Sequence, residues 1–579
     1  MESNDLYTIV LKLTLQNALS HDGKPFVKAI IGGILGSHPE FRPQAKIIKE
    51  TVEQKCTEIS QMTMDQIQEL TAQFFPELLD PQKQKKKSKD DYKKLPDLPN
   101  AIKGKVKLRL PPEPSGYLHI GHAYAGFINY LYKVAYDGKL TLRLEDTNPK
   151  KALLEFYNAV IETYDYLGIK YDDVIYESDH LEKYQTKAKF LLEQNKAYAC
   201  TCSAEETKNN RLQKKTCIHS KNSIEDNLEH WDKMFGEYQE GDVVIRLIGD
   251  MTSSKEALHD PTIMRIVDHP HPRLGTKYRV YPLYDFAVSI EDADVTHVLR
   301  SEEFVPKIDL QNLVRGYLSL PNPEFVHFSR LRIKNTPVQK RVIRGLIDNK
   351  VINSWDDPRL STVIGLRSRG VIPDTLKEMV YELRLSKSKG EIDWNIILSI
   401  NRKLLDPTTK HFFAVVDPIK LVVNDLEPRT IKLKNHPSNT SFGMRIIETQ
   451  NVFWVDGSDF QEIKNSPMIR LKDFQNIDII KATKRQITAK VSNNPSHDVP
   501  KIQWVPVNYN LPLELRTINE LYENYEEERL NPNSMTISSG YIEKNAQELN
   551  KFQVLQLERK GLACVQEKDK NKKIILNLT

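Results

Sequence analysis

The chain has 579 residues, enough for about three to five domains of ordinary size. Its 83 lysines and arginines against 78 aspartates and glutamates give a net charge of +5, which by itself indicates no nucleic-acid partner. The longest apolar run, near residues 29–35, is far shorter than the roughly 20 residues that span a bilayer, so we expect no membrane partner. The acidic N-terminus and five sparse cysteines predict a cytoplasmic protein without a disulfide framework.

Hydrophobic patterning divides the chain into segments. Residues 1–80 have apolar positions at helical spacing and predict a small helical domain. The Lys-rich residues 81–104 predict a solvated linker, with a specific RNA-binding arm as the alternative. From residue 105, a strand, a turn, a helix and a second strand predict a parallel sheet. An apolar helical stretch near 342–405 predicts a connector, and the short β-rich runs that follow predict barrel domains.

The segment with the most chemistry is 111–123, Pro-Pro-Glu-Pro-Ser-Gly-Tyr-Leu-His-Ile-Gly-His-Ala, where the first strand ends and the helix begins. A helix N-terminus presents free N–H groups and the positive end of the helix dipole, so it can hold a phosphate. The imidazole N–H groups of His119 and His122 can donate to a developing negative charge, and Gly121 leaves room for a purine ring. The alternative is a capped turn with two incidental histidines, but the complete string after a strand favours a phosphate site.

This string resembles the first signature of class I aminoacyl-tRNA synthetases, in the form of the glutamyl/glutaminyl subgroup. Four more strings resemble the family in the expected order: Leu-Arg-Leu-Glu-Asp-Thr-Asn-Pro at 142–149, Tyr-Pro-Leu-Tyr-Asp-Phe at 281–286, Thr-His-Val-Leu-Arg-Ser-Glu-Glu at 296–303 and Trp-Asp-Asp-Pro-Arg-Leu at 355–360. The resemblance covers about residues 105–413. The helical N-terminus and the β-rich tail are similar to the archaeal and eukaryotic form.

The resemblance implies a multidomain α/β protein with a Rossmann-type parallel-sheet catalytic domain. We expect the following boundaries: helical domain 1–80, linker 81–104, catalytic domain 105–195 and 276–345, inserted acceptor-end-binding domain 196–275, helical connector 346–407 and β-barrel anticodon-binding region 408–579. The implied reaction joins L-glutamate to tRNA with ATP and Mg²⁺, through a glutamyl-adenylate, and releases AMP and pyrophosphate. A monomer is expected, and a protein partner for the N-terminal helical domain is left open.

The resemblance also implies the site residues. The implied catalytic residues are His119, His122 and Lys340. The implied ATP-binding residues are Pro112, Gly116, His119, Gly121, His122, Lys340 and Arg341. The implied glutamate-binding residues are Arg109, Glu113, Glu145, Tyr284 and Arg300, with Glu113 or Glu145 facing the substrate ammonium.

The second family signature is a mobile Lys-Met-Ser-Lys-Ser loop, whose lysine neutralises the departing pyrophosphate. Two segments resemble it. Leu-Ser-Lys-Ser at 385–388 matches the letters better, but it follows residues 355–360, which is the wrong side. Pro-Val-Gln-Lys-Arg at 337–341 has the expected context, so we choose Lys340.

Arg300 bears on the choice between glutamate and glutamine. A desolvated carboxylate needs a positive partner, and arginine offers a planar two-pronged donor. An amide substrate would leave the charge of that arginine buried and unpaired, which costs free energy. The family has arginine here in glutamyl enzymes and an uncharged residue in glutaminyl enzymes, so glutamate is favoured. Glutamine–tRNA ligase remains the nearest alternative, and a catalytically decayed tRNA-binding protein is the second.

A cluster of soft metal ligands lies within the predicted insertion. Cys200, Cys202, Cys217 and His219 form two close pairs, the arrangement that tetrahedral zinc prefers. The alternative is three reduced cysteines and an exposed histidine. The sequence therefore predicts a structural Zn²⁺ without an open position for chemistry.

Overall fold

Two compact units, Met1–Lys94 and Leu95–Thr579, make up the chain. The computed structural model describes residues 2–20, 23–37, 44–78, 94–385, 390–569 and 572–579. Most of the predicted linker, at 81–93, and the Ser-Lys-Ser of the rejected second-signature string, at 386–388, therefore lie outside the described residues.

The first unit is helical, as predicted. Its helices are Glu2–Ser20, Val27–Ser37, Ala45–Ser60 and Met64–Phe74. The last helix begins with a capping box: the Gln66 N–H donates to Thr63 Oγ1 at 3.4 Å, and the Thr63 N–H donates to Gln66 Oε1 at 2.9 Å. Val10, Ile48 and Val52 are fully buried in one of its apolar clusters, because helical spacing places them on inward faces.

The second unit begins with the predicted parallel sheet. Strands Lys107–Leu110, Lys139–Leu144 and Asp173–Tyr176 pair in that order, all parallel. A second parallel pair, His297–Ser301 and Glu324–Phe328, meets the first strand, where the Thr296 N–H donates to the Lys107 carbonyl at 3.0 Å. The chain therefore extends the sheet in opposite directions from Lys107–Leu110. Ligands of such sheets bind at this reversal point, outside the carboxyl ends of the strands.

Five helices accompany these strands and position the site. They are Ile120–Tyr136, Leu154–Tyr166, Leu181–Glu193, Tyr284–Glu291 and Ile308–Tyr317. Ile120–Tyr136 begins ten residues after the first strand ends, and it buries Phe127 and Ile128 in the same core as the strand residues Leu108 and Leu142. This packing holds the N-terminus of the helix at the reversal point of the sheet.

An antiparallel sheet interrupts the parallel one. Its strands are Ala197–Cys200, Val244–Leu247, Thr262–Ile266 and Val280–Pro282. Helices Ala204–Leu212 and Ile224–Lys233 lie between its first two strands. The last strand lies beyond residue 275, so this sheet continues past the predicted end of the insertion.

A helical segment follows the parallel sheet. Its helices are Lys340–Asp348, Val363–Ser368, Pro373–Leu383 and Trp394–Leu405. A short parallel pair, Arg332–Ile333 with Glu391–Ile392, joins its second half to the core of the parallel sheet. Val380 and Ile397 are fully buried in that core, so the segment and the parallel sheet form one packed body.

The tail contains the predicted barrel-type sheets. In spatial order, one sheet has strands His411–Phe412, Val554–Leu557, Gly561–Lys568, Ile574–Leu578, Asn510–Ile518, Met535–Glu543 and Ala414–Val416. The other has Lys501–Ile502, Met468–Leu471, Asn476–Ala482, Gln486–Val491, Ile419–Asn424, Val452–Val455 and Trp504–Pro506. Two hairpins, Arg429–Lys434 with Met444–Thr449 and Tyr522–Asn524 with Arg529–Leu530, and one short helix, Phe460–Asn465, complete the tail. Within the described ranges, no helix is both long and apolar enough to cross a membrane.

Candidate active site

A cavity of about 610 Å³ opens at the reversal point of the parallel sheet. Its wall contains these predicted site residues: Arg109, Pro112, Glu113, His119, Gly121, His122, Glu145, Tyr284, Arg300 and Lys340. Two predicted residues lie outside the wall. Gly116 sits directly behind the side chain of Lys340, and Arg341 is exposed to solvent.

His119 and His122 share the first turn of the helix Ile120–Tyr136. His119 is the N-cap residue, and its Nδ1 accepts a hydrogen bond from the Gly121 N–H at 3.0 Å. His122 Nδ1 accepts in turn from the His119 N–H at 3.3 Å. Because each Nδ1 is an acceptor, the proton of each neutral ring must be on Nε2. Both rings therefore keep an Nε2–H that can donate to a bound group.

The two imidazoles are held in the neutral state. Burial lowers the pKa of His122 to about 3, and the positive charges of Lys340 and Arg330 act in the same direction. Burial also lowers the pKa of His119 far below its usual value, with His122, Arg330 and Lys340 adding to the effect. The rings act as hydrogen-bond donors at neutral pH rather than as cations or proton carriers.

Gly121 makes room for a histidine ring. A Cβ at this position would lie 2.8 Å from Cε1 and 3.1 Å from Nδ1 of His119. Any side chain would therefore displace the ring that caps the helix. The sequence predicts that this space takes a purine ring. Gly121 does line the cavity, but the nearest atoms to the missing Cβ belong to His119.

Lys340 enters the cavity from the first turn of the helix Lys340–Asp348. Its Nζ donates to Ser115 Oγ at 2.6 Å, which places the ammonium beside the first-signature string. Burial lowers the pKa of Lys340, while the carboxylate of Glu113 acts in the opposite direction. The structure thus brings the chosen lysine to the same cavity as the two histidines.

Arg109 and Arg143 share one buried carboxylate. Arg109 Nε donates to Asp292 Oδ1 at 3.0 Å, and Arg143 Nη1 donates to the same oxygen at 2.8 Å. Despite burial, which acts the other way, the two guanidinium groups hold the pKa of Asp292 well below its usual value. Arg109 Nη1 is buried without a hydrogen-bond partner, so one donor of this arginine remains for a ligand of the cavity.

Glu145 and Tyr284 lie on the same side of the cavity as Arg109. Glu145 Oε1 accepts from Arg143 Nη2 at 3.1 Å. Burial raises the pKa of Glu145 to about 7, although the charges of Arg143 and Arg109 act in the opposite direction. Burial and the nearby Glu145 raise the pKa of Tyr284 well above its usual value, so its hydroxyl stays protonated.

Arg300 has the most unsatisfied side chain of the cavity wall. It is only 5% exposed, yet Nε, Nη1 and Nη2 are all buried without a hydrogen-bond partner. Its guanidinium carbon lies 4.9 Å from the ring centre of Phe325 and 5.4 Å from that of Phe304. A desolvated guanidinium without an anion is costly, so this arrangement favours a bound carboxylate.

Glu113 has its own partners in the protein. Its Oε2 accepts from Ser115 Oγ at 2.6 Å, and its Oε1 lies 3.5 Å from Lys151 Nζ. Of the two acids predicted to face the substrate ammonium, Glu113 therefore neighbours Lys340, while Glu145 lies among the arginines.

Sequence reasoning missed several residues that shape this cavity. Asp292 anchors Arg109, Arg143 lies behind Glu145, and Ser115 binds Lys340. Arg143 and Ser115 lie inside the strings that resemble the family, and their polar side chains are the signal that marks them. Asp292 carries no local signal, because its role depends on two arginines that are distant in sequence.

The cysteines and histidine of the insertion also come together. The Sγ atoms of Cys200 and Cys202 lie 3.7 and 3.5 Å from that of Cys217, and His219 Nδ1 lies 3.4 Å from Cys217 Sγ. Tetrahedral zinc with bonds of about 2.0–2.3 Å separates its ligand atoms by about 3.3–3.8 Å. His219 Nε2 lies 3.1 Å from Thr201 Oγ1, a partner that would fix the ring for metal binding. The donor set and its spacing therefore fit Zn²⁺.

Family models match most of the second unit. The model described as tRNA synthetases class I (E and Q), catalytic domain, matches residues 105–407. Two models described as anti-codon binding domains of the same group match residues 410–497 and 501–566. These matches cover the parallel sheet, the insertion, the helical segment and most of both barrel-type sheets, but not the strand Ile574–Leu578.

Similar proteins span nearly the whole chain. The chain is 36% identical to a glutamate–tRNA ligase of Pyrococcus furiosus over 577 residues, 98% of each chain. It is 35% identical to a glutamate–tRNA ligase of Nitrosopumilus maritimus, over 95% of this chain and 96% of that one. A crystal structure of a glutamate tRNA ligase from Elizabethkingia meningosepticum is similar at 19% identity and a TM-score of 0.40, over 52% of this chain and 70% of that chain.

Proposed function

The chain belongs to the class I tRNA synthetases of the E and Q group, and from this premise we infer that its cavity activates glutamate. It is an ATP-dependent enzyme that ligates L-glutamate to tRNA. In the first step, an oxygen of the α-carboxylate of glutamate attacks the α-phosphorus of ATP, and the bond to the β-phosphate breaks. In the second step, a hydroxyl of the terminal adenosine of tRNA takes the glutamyl group, and AMP leaves.

The observation that carries the choice of glutamate is the unsatisfied guanidinium of Arg300. A side-chain carboxylate can accept two parallel hydrogen bonds from it and neutralise its charge. The amide of glutamine would offer one acceptor and no charge, and its NH₂ donors would face further donors. Glutamine–tRNA ligase is therefore the less favourable reading of this cavity.

The remaining pocket groups suit the other ends of glutamate. Glu145 would accept from the substrate ammonium, and the hydroxyl of Tyr284 offers a further polar contact. Arg109 Nη1, held in place through Asp292, would donate to substrate oxygen. With the substrate ammonium at Glu145 and its side-chain carboxylate at Arg300, the α-carboxylate would face the histidines. Such orientation of the reacting groups is the main contribution of enzymes of this type.

Lys340, His119 and His122 would act on the phosphates. The Nε2–H groups of the histidines can donate to phosphate oxygens as negative charge develops. The Lys340 ammonium can neutralise the departing pyrophosphate, as the family signature implies. A preorganised set of donors in a site shielded from water stabilises such charge strongly. The intact histidine geometry and the lysine in the cavity count against a decayed, tRNA-binding protein.

Several finer assignments belong to the same proposal. ATP enters with Mg²⁺, and Zn²⁺ binds Cys200, Cys202, Cys217 and His219, where it would stabilise the insertion rather than take part in the chemistry. The acceptor end of tRNA meets the insertion, and the barrel-type tail meets the anticodon. A monomeric enzyme, a cytoplasmic location and a protein partner for the first unit stay predictions.

The experiment that tests the activation step is ATP–pyrophosphate exchange with tRNA present. We expect exchange to require L-glutamate. Lys340→Ala should reduce the exchange rate at least about a hundredfold, the usual scale for losing a group that stabilises developing charge. tRNA binding, measured by filter retention, should change little. Equal loss of exchange and tRNA binding in Lys340→Ala would mean that Lys340 supports folding. Exchange by the wild-type protein without glutamate would contradict the proposed reaction.

A further inference from the structure

A chain of three polar side chains links the first-signature string to the helix Lys340–Asp348. Lys340 Nζ donates to Ser115 Oγ at 2.6 Å, and Ser115 Oγ donates to Glu113 Oε2 at 2.6 Å. A serine hydroxyl has one proton, so the donation to Glu113 leaves its lone pairs directed at the ammonium. Ser115 is only 7% exposed, so its hydroxyl meets the lysine inside the protein and not at the surface.

A second contact fixes the same helix to the same residue. Arg344 Nη2 donates to the Ser115 carbonyl at 3.3 Å. Lys340 and Arg344 are four residues apart, so both side chains leave the helix on one face. Ser115 thus accepts hydrogen bonds from this face of the helix through both its hydroxyl and its backbone carbonyl.

Gly116 completes the seat for the lysine. A Cβ on Gly116 would lie 2.8 Å from Cδ and 3.0 Å from Cε of Lys340. The aliphatic stem of the lysine therefore lies across this glycine, and its direction into the cavity depends on the absence of a side chain there. The backbone of Gly116 is not in the left-handed region, so space rather than conformation requires the glycine.

The charges around the ammonium act in opposite directions. Burial lowers the pKa of Lys340, and the nearby Lys151 and Arg344 lower it further. Glu113 raises it, and the neighbouring imidazoles of His119 and His122 carry no charge near neutral pH. Glu113 is thus the carboxylate that favours the charged form of the lysine.

We propose that Ser115 and Glu113 are positioning residues for Lys340: the Ser115 hydroxyl, oriented by the Glu113 carboxylate, holds the lysine ammonium in the ATP cavity. The inference rests on the proposed function of Lys340 in adenylate formation. It also gives Glu113 a role beside the phosphates, so that the substrate ammonium is left to Glu145.

The test is a double-mutant cycle measured by ATP–pyrophosphate exchange with tRNA present. We expect Ser115→Ala to lower kcat at least about tenfold, the scale of one hydrogen bond to a charged group, with the KM for glutamate unchanged. In the Lys340→Ala background, the same substitution should change kcat by less than about twofold, because Ser115 acts through the lysine. The matched control is Ser534→Ala. Ser534 is also 7% exposed and accepts from a cation, Arg359, at 3.0 Å, but Arg359 does not line the cavity, whereas Lys340 does.

Glu113→Gln provides a second test that does not depend on the serine. The amide oxygen can still accept from Ser115, so the geometry is kept while the negative charge is lost. Without that charge the lysine deprotonates more easily, and the fall of kcat at high pH should begin at a lower pH. Thermal unfolding of each variant checks that the fold is intact.

The outcomes separate the inference from the function on which it rests. If Lys340→Ala leaves exchange unchanged, the role proposed for Lys340 is wrong. If Lys340→Ala abolishes exchange but Ser115→Ala has no effect, or has equal effects in both backgrounds, the positioning role is wrong. If the fall of kcat at high pH begins at the same pH in Glu113→Gln as in the wild-type protein, Glu113 does not help to position Lys340.

Discussion

Each histidine of the cavity uses its two ring nitrogens for different purposes. Nδ1 of His119 and Nδ1 of His122 accept backbone N–H groups at the start of the helix Ile120–Tyr136. These bonds satisfy donors that a helix N-terminus leaves free, and they fix the proton of each ring on Nε2. One residue can therefore stabilise the helix and, in the proposed function, offer a donor to the phosphates.

Substitutions of His119 can separate these two roles. Asn places an acceptor near the position of Nδ1 but has no group at Nε2, so His119→Asn should keep the thermal stability of the protein. Its exchange kcat should fall by about 10²–10³-fold, the cost of one lost donor to developing charge. Gln reaches the Nε2 position but loses the cap, so His119→Gln should keep more activity and lose about 1 kcal/mol of stability. The reverse order of activities would contradict this division.

The proposed contact between Glu145 and the substrate ammonium predicts that the use of glutamate depends on pH. Burial raises the pKa of this carboxyl to about 7, so it becomes ionised as pH rises through neutrality. Only the ionised form attracts the substrate ammonium, so kcat/KM for glutamate should rise from pH 6 to pH 8 as the free enzyme loses this proton. The histidines cannot produce this rise, because their pKa values lie far lower.

The control for this pH profile is Glu145→Gln, which removes the titrating group and keeps the shape of the side chain. Its kcat/KM for glutamate should be low and flat between pH 6 and pH 8. A variant profile that still rises through neutrality would assign the titration to another group.

At the scale of elements, the segment between Cys202 and Cys217 has few apolar residues. The helix Ala204–Leu212 buries none of its residues, so packing alone does little to hold the segment between Cys202 and Cys217. A metal that joins both ends of this segment would supply the missing stabilisation, since metal binding and local folding are coupled.

Metal analysis tests this directly. We expect the purified protein to hold one zinc per chain and Cys200→Ser to hold almost none, because serine is a poor ligand for zinc. Cys564→Ser is the matched control. This cysteine is also buried, but it lies in the tail, where its Sγ donates to the Arg367 carbonyl at 3.5 Å, and its loss should leave the metal in place. Metal-free wild-type protein with an intact insertion would contradict the zinc site.

At the scale of the whole molecule, local patterns predicted the fold better than the site. The strand–turn–helix pattern after residue 105 led to the parallel sheet, and alternating β-rich runs led to the barrel-type tail, because each pattern is set by neighbouring residues. The end of the antiparallel sheet at Val280–Pro282 escaped prediction, because strand pairing joins residues distant in the chain.

The site shows the same division. The strings that resemble the family predicted His119, Glu145 and Arg300 as site residues, and the fold places them around one cavity. The links between strings were not readable, since the Lys340–Ser115 and Arg109–Asp292 contacts span long stretches of chain. Whether an arginine has a partner is a property of the folded protein, so only the structure gives Arg300 its unsatisfied donors.

Charging of total tRNA shows whether Arg300 selects glutamate. The wild-type protein and Arg300→Cys are each assayed with ATP and either radiolabelled glutamate or radiolabelled glutamine. We predict charging with glutamate and little with glutamine. Arg300→Cys should lose at least about thirtyfold in kcat/KM for glutamate, the lower end for removing one partner of a buried charge pair. Arg300→Lys keeps the charge but not the two-pronged geometry, so its kcat/KM should lie between those of the wild-type protein and Arg300→Cys. Glutamine charging by the wild-type protein, or unchanged glutamate kinetics in Arg300→Cys, would contradict the proposed pairing of Arg300 with the glutamate side chain.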